Sequence, residues 1–503
     1  MIEPSFETFE RAYKAGEPQV VWTRMVADLE TPVSAMLKIA DGKPNSFLLE
    51  SVEGGDTRGR YSIIGLKPDV IWRCMGDKAE INRKARSNPK AFEAETLGTL
   101  ASLRALIEAS RITLPEDLPP MAAGVFGYMG YDTVRLVEHL PDINGGGLGL
   151  PDGIFLRPTI IAIFDSVKDE VTIVTPVRAE SGVDARAAYA RASERLSDVV
   201  ADFDRSLPHT EQVDAVADMP PPTSNTSPDA YYEMVRKAKE YIKAGDIFQV
   251  VLSQRFEAPF TLPPFSLYRA LRRINPSPFL YFLNFEDFAI VGSSPEILVR
   301  VRNNRVTIRP IAGTRHRGKS ATEDLEIGKE LLADPKERAE HLMLLDLGRN
   351  DVGRVSKIGS VEVTEQFALQ LTSHLIHIVS NVEGDLDPSY DAIEALIAGF
   401  PAGTVSGAPK VRAMEIIDEL ELEKRGSYAG CVGYFSAAGE MDTCIILRTA
   451  VVKDGKMFVQ AGGGVVADSS PEGEHMESVN KAKALFRAAE EAVRYAARGG
   501  RRQ

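Results

Sequence analysis

Ile297-Leu298-Val299-Arg300-Val301-Arg302-Asn303-Asn304-Arg305-Val306-Thr307-Ile308-Arg309-Pro310 is the stretch on which the fold turns. Two runs rich in Ile, Leu and Val flank a pair of asparagines, which is the length and composition of a tight turn between antiparallel strands. Asp454-Gly455 gives the same signal between Thr443–Val452 and Lys456–Gln460. Working outward, Phe248–Arg255, Phe279–Phe285, Ala289–Val291, His374–Val382 and Gly430–Ser436 also read as strands. Many are apolar on both faces, so each sheet must be covered on both sides, by another sheet or by helices. Upstream, strand-like Tyr61–Leu66 and Gly153–Val174 alternate with helix-like Leu97–Ser110 and Ala185–Val200. The expected class is α+β, a large layered sandwich of mostly antiparallel sheets flanked by helices.

The chain has 503 residues, about three ordinary domain lengths. That leaves room for two or three domains or one large intertwined one. Its clearest seam runs from Pro208 to Pro228, where Pro220, Pro221 and Pro222 precede Thr223-Ser224-Asn225-Thr226-Ser227. This composition sustains neither a helix nor a ladder. It divides the sequence into an N-terminal region 1–207, a linker 208–228 and a C-terminal region 229–497. Ser227 as N-cap, Pro228 at the first helical position and Gly245 after Ala244 punctuate a helix that opens the second half.

Acidic residues outnumber basic ones 72 to 59, a formal charge of −13, so no global positive field favours nucleic acid. The one visible basic cluster, Arg498, Arg501 and Arg502, lies in the tail. Cys74, Cys431 and Cys444 form no CxxC pair, which fits a reducing compartment, with the cytoplasm as default, and excludes a disulfide framework or a thiolate metal site. The first residues carry Glu3, Glu7 and Glu10 instead of a basic start and an apolar run, and no membrane-length apolar stretch occurs.

Two segments carry acids in a pattern that asks for explanation. After Pro335, Glu337 and Glu340 lie three apart and lead into the apolar Leu342-Met343-Leu344-Leu345. After Pro471, Glu474, Glu477 and Lys481 share a helix face distinct from the stripe Val479, Ala482, Phe486, Ala489 and Val493. Acids in a first turn are favoured by the helix dipole. Two such pairs at the edges of buried elements also suit a hard divalent ion, Mg²⁺ rather than Zn²⁺. Gly462-Gly463-Gly464 is either a tight turn or a segment whose bare backbone lets N–H groups approach an anion. A dinucleotide fingerprint is weak there, and Pro401–Lys410 lacks nucleotide P-loop spacing. Arg448, at the end of the apolar run Cys444–Leu447, His377, on one strand face with Leu375 and Val379, and Glu296 are core or turn residues by default. Arg448 and Lys481 together would supply cations for ligand carboxylates.

These segments, taken together, resemble the chorismate-utilising enzymes, most closely the anthranilate synthase large-subunit branch, over nearly the whole chain. The motifs are Ser293-Ser294-Pro295-Glu296, Pro310-Ile311-Ala312-Gly313-Thr314, Ala339-Glu340-His341 through Asp346-Leu347-Gly348-Arg349-Asn350-Asp351, Gly403-Thr404-Val405-Ser406-Gly407-Ala408-Pro409-Lys410, and Pro471-x-x-Glu474-x-x-Glu477-x-x-Asn480-Lys481-Ala482. The resemblance implies Glu340 and Glu477 as direct Mg²⁺ ligands, with Glu337 and Glu474 reaching the ion through water. It implies Gly313, Thr314, Tyr428, Arg448, Lys481 and the backbone of Gly462, Gly463 and Gly464 as contacts to chorismate. Ammonia would add at C2 as the C4 hydroxyl leaves, giving an aminodeoxyisochorismate, and pyruvate elimination would then give anthranilate. Glu296 would protonate the departing hydroxyl, which requires a carboxyl raised by desolvation. His377 would assist loss of the C2 proton, and Thr404 belongs to the same catalytic set.

Ala312 stands where para-aminobenzoate-type relatives generally carry a lysine nucleophile, and Gln249 where isochorismate-forming relatives carry a water-activating lysine. Both favour anthranilate over the alternatives, an aminodeoxychorismate synthase component or a catalytically silent chorismate-binding regulatory subunit. No cysteine here has the setting of a glutaminase nucleophile, so a separate glutamine amidotransferase subunit is the expected ammonia source. Glu50-Ser51 and Asn275-Pro276-Ser277-Pro278-Phe279 resemble the two sides of a tryptophan feedback pocket. Phe279-Leu280 replaces the commoner Tyr-Met there, and Gly463 replaces the commoner Ala.

Overall fold

The computed structural model describes residues 1–51, 59–207, 219–372 and 375–497. The deciding hairpin forms as read: Ile297–Arg302 pairs antiparallel with Arg305–Ile308, and Asn303 and Asn304 take positive φ of 50° and 57°. Asn tolerates the left-handed region that this two-residue turn demands at both positions.

Two antiparallel sheets grow from shared strands. In the first, Gln19–Val26, Glu170–Val177, Gly153–Asp165, Tyr61–Met75, Ser46–Ser51, Phe279–Asn284, Phe288–Ser294, Thr449–Lys453, Lys456–Val465 and Gln249–Pro259 pair in that order. In the second, Gly153–Asp165 continues to Gly124–Met129, Cys431–Ser436, Met441–Ile445, Ile297–Arg302, Arg305–Ile308 and Leu375–Asp385. Leu375–Asp385 also pairs with Ile311–His316 and Glu362–Leu371. Tyr61–Met75 and Gly153–Asp165 serve both sheets because their shared register shifts between Pro68 and Val70. A bulge of this kind lets a strand bend from one layer into the next.

The packing makes four layers. Phe47, Ile63, Tyr281 and Val451 meet Phe126, Tyr128, Val432 and Tyr434 between the sheets. The outer face of the first sheet buries Phe9, Leu196, Leu271, Leu485 and Phe486 from four helices. The outer face of the second takes Leu103, Leu345, Leu396 and Met414 from four others. Each such side chain contributes roughly 1.5–3 kcal/mol on burial, which is why two-faced apolar strands require both covers.

The details differ from the sequence reading in a few places. Tyr61–Leu66 continues to Met75, Gly153–Val174 splits into two strands, and Thr443–Val452 is interrupted after Ile445. Within the seam, Thr223-Ser224 does pair, with Glu257 and Phe256 at a sheet edge, so this part of the proposed linker is a short strand. A two-residue edge bridge is compatible with prolines just before it. Residues 208–218 of that linker, His374, and the arginines at 498, 501 and 502 lie outside the described residues. The helix Pro228–Ala244 has its expected punctuation, with the Ser227 hydroxyl accepting from Ala230 N and Gly245 at φ 87°. All three cysteines are buried and unpaired. Among the described residues no helix is long and apolar enough to cross a membrane.

Candidate active site

Glu296 follows the buried Ser293-Ser294 at the end of strand Phe288–Ser294 and is itself 4% exposed. Its Oε1 accepts from Thr404 Oγ1 at 2.9 Å and from the Ile311 N–H at 3.4 Å. Burial pushes this carboxyl up to about 8, and the two hydrogen bonds offset only part of that. Among the described residues no cation offsets it, so the acid form is favoured at neutral pH. A small cavity lined by Glu296, Thr404, Leu347 and Asp351 lies beside it.

His377 sits opposite Thr314 across the Leu375–Asp385 and Ile311–His316 pair, and its Nδ1 lies 3.1 Å from Thr314 Oγ1. Burial first, then the charge of Arg448, hold the imidazole down at about 4, so the ring is neutral at pH 7. Gly313, at φ 74°, makes the register shift between Ala312 and Thr314. A Cβ there would stand 3.2 Å from Glu337 Oε2, so this strand and the first acid helix approach closely.

The acid pairs come from opposite ends of the C-terminal half. Helix Pro335–Gly353 is capped by Asp334, and helix Pro471–Ala497 follows Ser470, to whose carbonyl Glu474 N donates. Glu340 is raised by burial and then by the negative charges of Glu337 and Glu477, so the two helix starts face each other. Glu474 is raised by burial, with Glu477 adding to the effect, and its buried Oε2 has no hydrogen-bond partner. Glu337 pairs with Arg315 at 2.8 Å and Glu477 with Lys481 at 2.7 Å. Among the described residues no group of three or more His, Cys, Asp or Glu closes to metal-holding distance. The orphaned Glu474 oxygen and the mutual repulsion are nevertheless what a hard oxygen-ligated cation would relieve, so the donor set fits Mg²⁺.

Gly462, Gly463 and Gly464 are not a turn. They lie in strand Lys456–Val465, in unbroken register with Ser253, Leu252 and Val251. Space explains them better than conformation: a Cβ on Gly463 would fall 2.4 Å from Glu474 Oε2, and one on Gly464 2.5 Å from Gln249 Nε2. On the other edge the pairing with Thr449–Lys453 ends at Val459, so among the described residues no strand pairs with the glycines there. Lys481 Nζ donates to Gly462 O at 2.9 Å, tying this strand to the last helix.

Arg448 does not end the strand, which stops at Ile445. It occupies the connection to Thr449 with φ 47°, a strained position for a residue bearing Cβ. Its carbonyl accepts from Ser293 N at 3.2 Å, and burial lowers the pKa of its guanidinium. Tyr428 is buried, its phenol pushed up to about 12, with the Arg425 guanidinium 5.5 Å from its ring centroid.

The two segments expected to flank a feedback pocket lie on paired strands or next to them. Ser46–Ser51 pairs with Phe279–Asn284, setting Glu50 opposite Leu280 and Ser51 opposite Phe279. Glu50 is fixed by the Tyr268 hydroxyl and by Arg272 at 2.7 and 3.0 Å. Beside it lies a cavity of about 120 Å³ that Glu50, Ser51, Ser62, Phe164 and Arg272 help to line, whereas Asn275 to Phe279 do not reach it. The Asn275 carbonyl accepts from Ser293 Oγ at 2.5 Å. Tyr268, Arg272, Arg315 and Arg425 escaped the sequence reading. The charge pair Glu421 and Arg425, four apart next to Tyr428, was the available signal for the last.

A family model described as chorismate binding enzyme matches residues 46–487. Anthranilate synthase component 1 of Cereibacter sphaeroides is 59% identical over 496 residues, 99% of each chain. The chain belongs to the anthranilate synthase component 1 family. The Pseudomonas aeruginosa member is 46% identical over 469 residues, 92% of this chain and 94% of the relative. The crystal structure of anthranilate synthase component I from Streptococcus pneumoniae superimposes with a TM-score of 0.74 at 38% identity, covering 85% of this chain and 92% of that one. The isochorismate synthase MenF from Escherichia coli shares the fold, with a TM-score of 0.70 at 18% identity over 97% of this chain and 99% of that one.

Proposed function

We propose that this chain converts chorismate and ammonia to anthranilate and pyruvate through an aminodeoxyisochorismate intermediate, with Mg²⁺ as cofactor. The observation that carries the reading is Glu296: a buried carboxyl kept protonated at neutral pH beside Thr404, within one fold with a neutral His377. Because both donors engage Oε1, the proton resides on Oε2 and is available to the departing C4 hydroxyl. His377, held by Thr314, is free to accept the C2 proton during loss of pyruvate. Arg448, with no hydrogen bond or ion pair to its guanidinium among the described residues, is a ready partner for a substrate carboxylate, as are Lys481, Tyr428 and the glycine edge. Glu340 and Glu477 would hold Mg²⁺ directly, with Glu337 and Glu474 outside them. The ion would supply the positive charge that lets a dianionic ring acid approach four carboxylates.

Ammonia would come from a separate glutamine amidotransferase subunit, in keeping with the component 1 naming of the relatives. Tryptophan would bind between Glu50-Ser51 and Asn275–Phe279 as end-product inhibitor, and the region 1–207 would contribute one wall of that pocket while 229–497 carries the chemistry. Incubation with chorismate, Mg²⁺ and ammonium, read by anthranilate fluorescence and product chromatography, tests the reaction. Para-aminated product or isochorismate would replace this reading, and no turnover at all would favour a silent subunit.

A further inference from the structure

Arg425 is an enclosed guanidinium for which the proposed chemistry has no use. It and Glu421 are 1% and 3% exposed and meet at 2.6 Å. Nε and Nη2 fork onto the Glu421 carboxylate at 2.9 and 2.6 Å, Nη1 donates to Val405 O at 2.7 Å, and Nη2 donates to Val251 O at 2.7 Å. Glu421 Oε1 in turn accepts from the N–H and the hydroxyl of Ser253, both at 2.8 Å. The guanidinium stands 4.9 Å from the Tyr131 ring centroid and 5.5 Å from that of Tyr428.

Apart from Glu421 and Tyr131, every one of these partners borders a segment that faces the site. Val405 follows Thr404, Val251 and Ser253 are the cross-strand neighbours of Gly464 and Gly462, and Tyr428 is itself a predicted substrate contact. On its other edge, strand Gln249–Pro259 pairs with Gly407-Ala408 only through Gln249 and Val250. Beyond that point Ser406 O takes Val251 N, Arg425 takes Val251 O, and Glu421 takes Ser253 N. The ion pair therefore stands where a neighbouring strand would have continued the ladder. Apolar side chains of the same volume could fill this space, but they would orphan the three buried backbone groups that the pair holds in fixed directions, Val251 O, Val405 O and Ser253 N. That task calls for a planar fork of donors.

We propose that Arg425, oriented by Glu421, is a positioning residue that sets the Thr404 turn against Glu296 and the glycine strand and Tyr428 against the substrate. This rests on the anthranilate synthase reading above. The titratable groups facing Arg425 are Glu421, Tyr131 and Tyr428, and Glu296 faces Thr404, the Ile311 N–H and, across the small cavity, Asp351.

The test is Arg425→Lys in the full chain, which keeps the charge and loses the fork, assayed with chorismate, Mg²⁺ and ammonium adjusted to constant free NH₃ across pH, alongside a melting curve. Expected is a fall of about tenfold or more in kcat/KM for chorismate, as misplacement of contacts costs. The basic limb of the pH profile should move to higher pH, because loosening Thr404 removes a donor that holds the Glu296 carboxyl down. Thr404→Val should move that limb in the same direction. A lowered melting temperature with kcat/KM and limb unchanged would overturn the proposal and leave Arg425 a purely structural residue. Should Arg425→Lys fail to fold, Glu421→Gln, which keeps the shape of the acceptor and removes its charge, is judged by the same two readouts. Failure of the underlying reading looks different, since the wild-type chain itself would then form no anthranilate.

Discussion

Glu296 and His377 are tuned by the same cause in opposite directions, since burial penalises whichever form carries charge. The carboxyl is pushed up to about 8 and the imidazole down to about 4, so both are neutral at pH 7. Glu296→Gln should reduce amination by about 10²–10⁴, the usual worth of a positioned acid, with chorismate binding retained. In the wild type at a fixed concentration of free NH₃, the form of ammonium that prevails at high pH, turnover should decline as pH rises through about 8, when the acid form is lost. The same group bears on stability: the folded state binds its proton more tightly than the unfolded chain, so its contribution is full below the unfolded carboxylate range and is lost as pH rises through about 8. His377 has the reverse sign, favouring the fold above its ordinary value and losing that contribution as pH falls toward about 4. His377→Met should stop the reaction after amination, so the amino intermediate should accumulate on chromatography, and undiminished anthranilate would remove His377 from the mechanism. Both residues were legible from the motifs around them. Arg425 and Arg272 were not, because the sequence does not say which charges the fold sets against a buried carboxylate.

Strand Phe288–Ser294 connects the proposed inhibitor side at Asn275 with the proposed acid Glu296. Ser293 Oγ donates to Asn275 O at 2.5 Å, its N–H donates to Arg448 O at 3.2 Å, and Glu296 follows three residues later. Displacement of Asn275 by a ligand would therefore reach both Arg448 and Glu296 through one serine. Ser293→Ala removes only the hydroxyl link. It should raise the tryptophan concentration needed for half inhibition several-fold while leaving the tryptophan-induced rise in melting temperature, and an equal loss of both would mean that Ser293 shapes the pocket and does not transmit from it. Element boundaries show what one dimension hides. A run of three glycines signals a turn locally, yet the ten-pair ladder with Gln249–Pro259 holds Gly462–Gly464 extended, and the reasons for the missing side chains lie far off in the sequence, on the neighbouring strand for Gly462 and Gly464 and on the helix that begins at Pro471 for Gly463. The hairpin at Asn303-Asn304 was legible because its cause is local.

At the scale of the molecule, the sandwich brings the starts of two helices from far apart in the chain to face each other, each set against a different sheet: Pro335–Gly353 contributes Leu345 to the cover of the second, and Pro471–Ala497 contributes Leu485 and Phe486 to that of the first. No periodicity in either helix announces the other; only the resemblance linked them. Their opposition leaves Glu340 and Glu474 raised by burial and by like charges, while Lys336 and Lys481 lower both. Ten millimolar-range monovalent salt screens such repulsion weakly at these separations, whereas a divalent ion between the carboxylates would cancel it. Mg²⁺ should therefore stabilise the folded chain by about 2.7 kcal/mol at a hundredfold excess over its Kd, visible as a rise in melting temperature without any substrate. Glu340→Gln should raise the stability of the metal-free chain slightly, because it removes one repelling charge, and should abolish most of the Mg²⁺-dependent rise. A melting temperature indifferent to Mg²⁺ in the wild type, with or without chorismate, would mean that the facing acids are held apart by their own lysines and bind no ion.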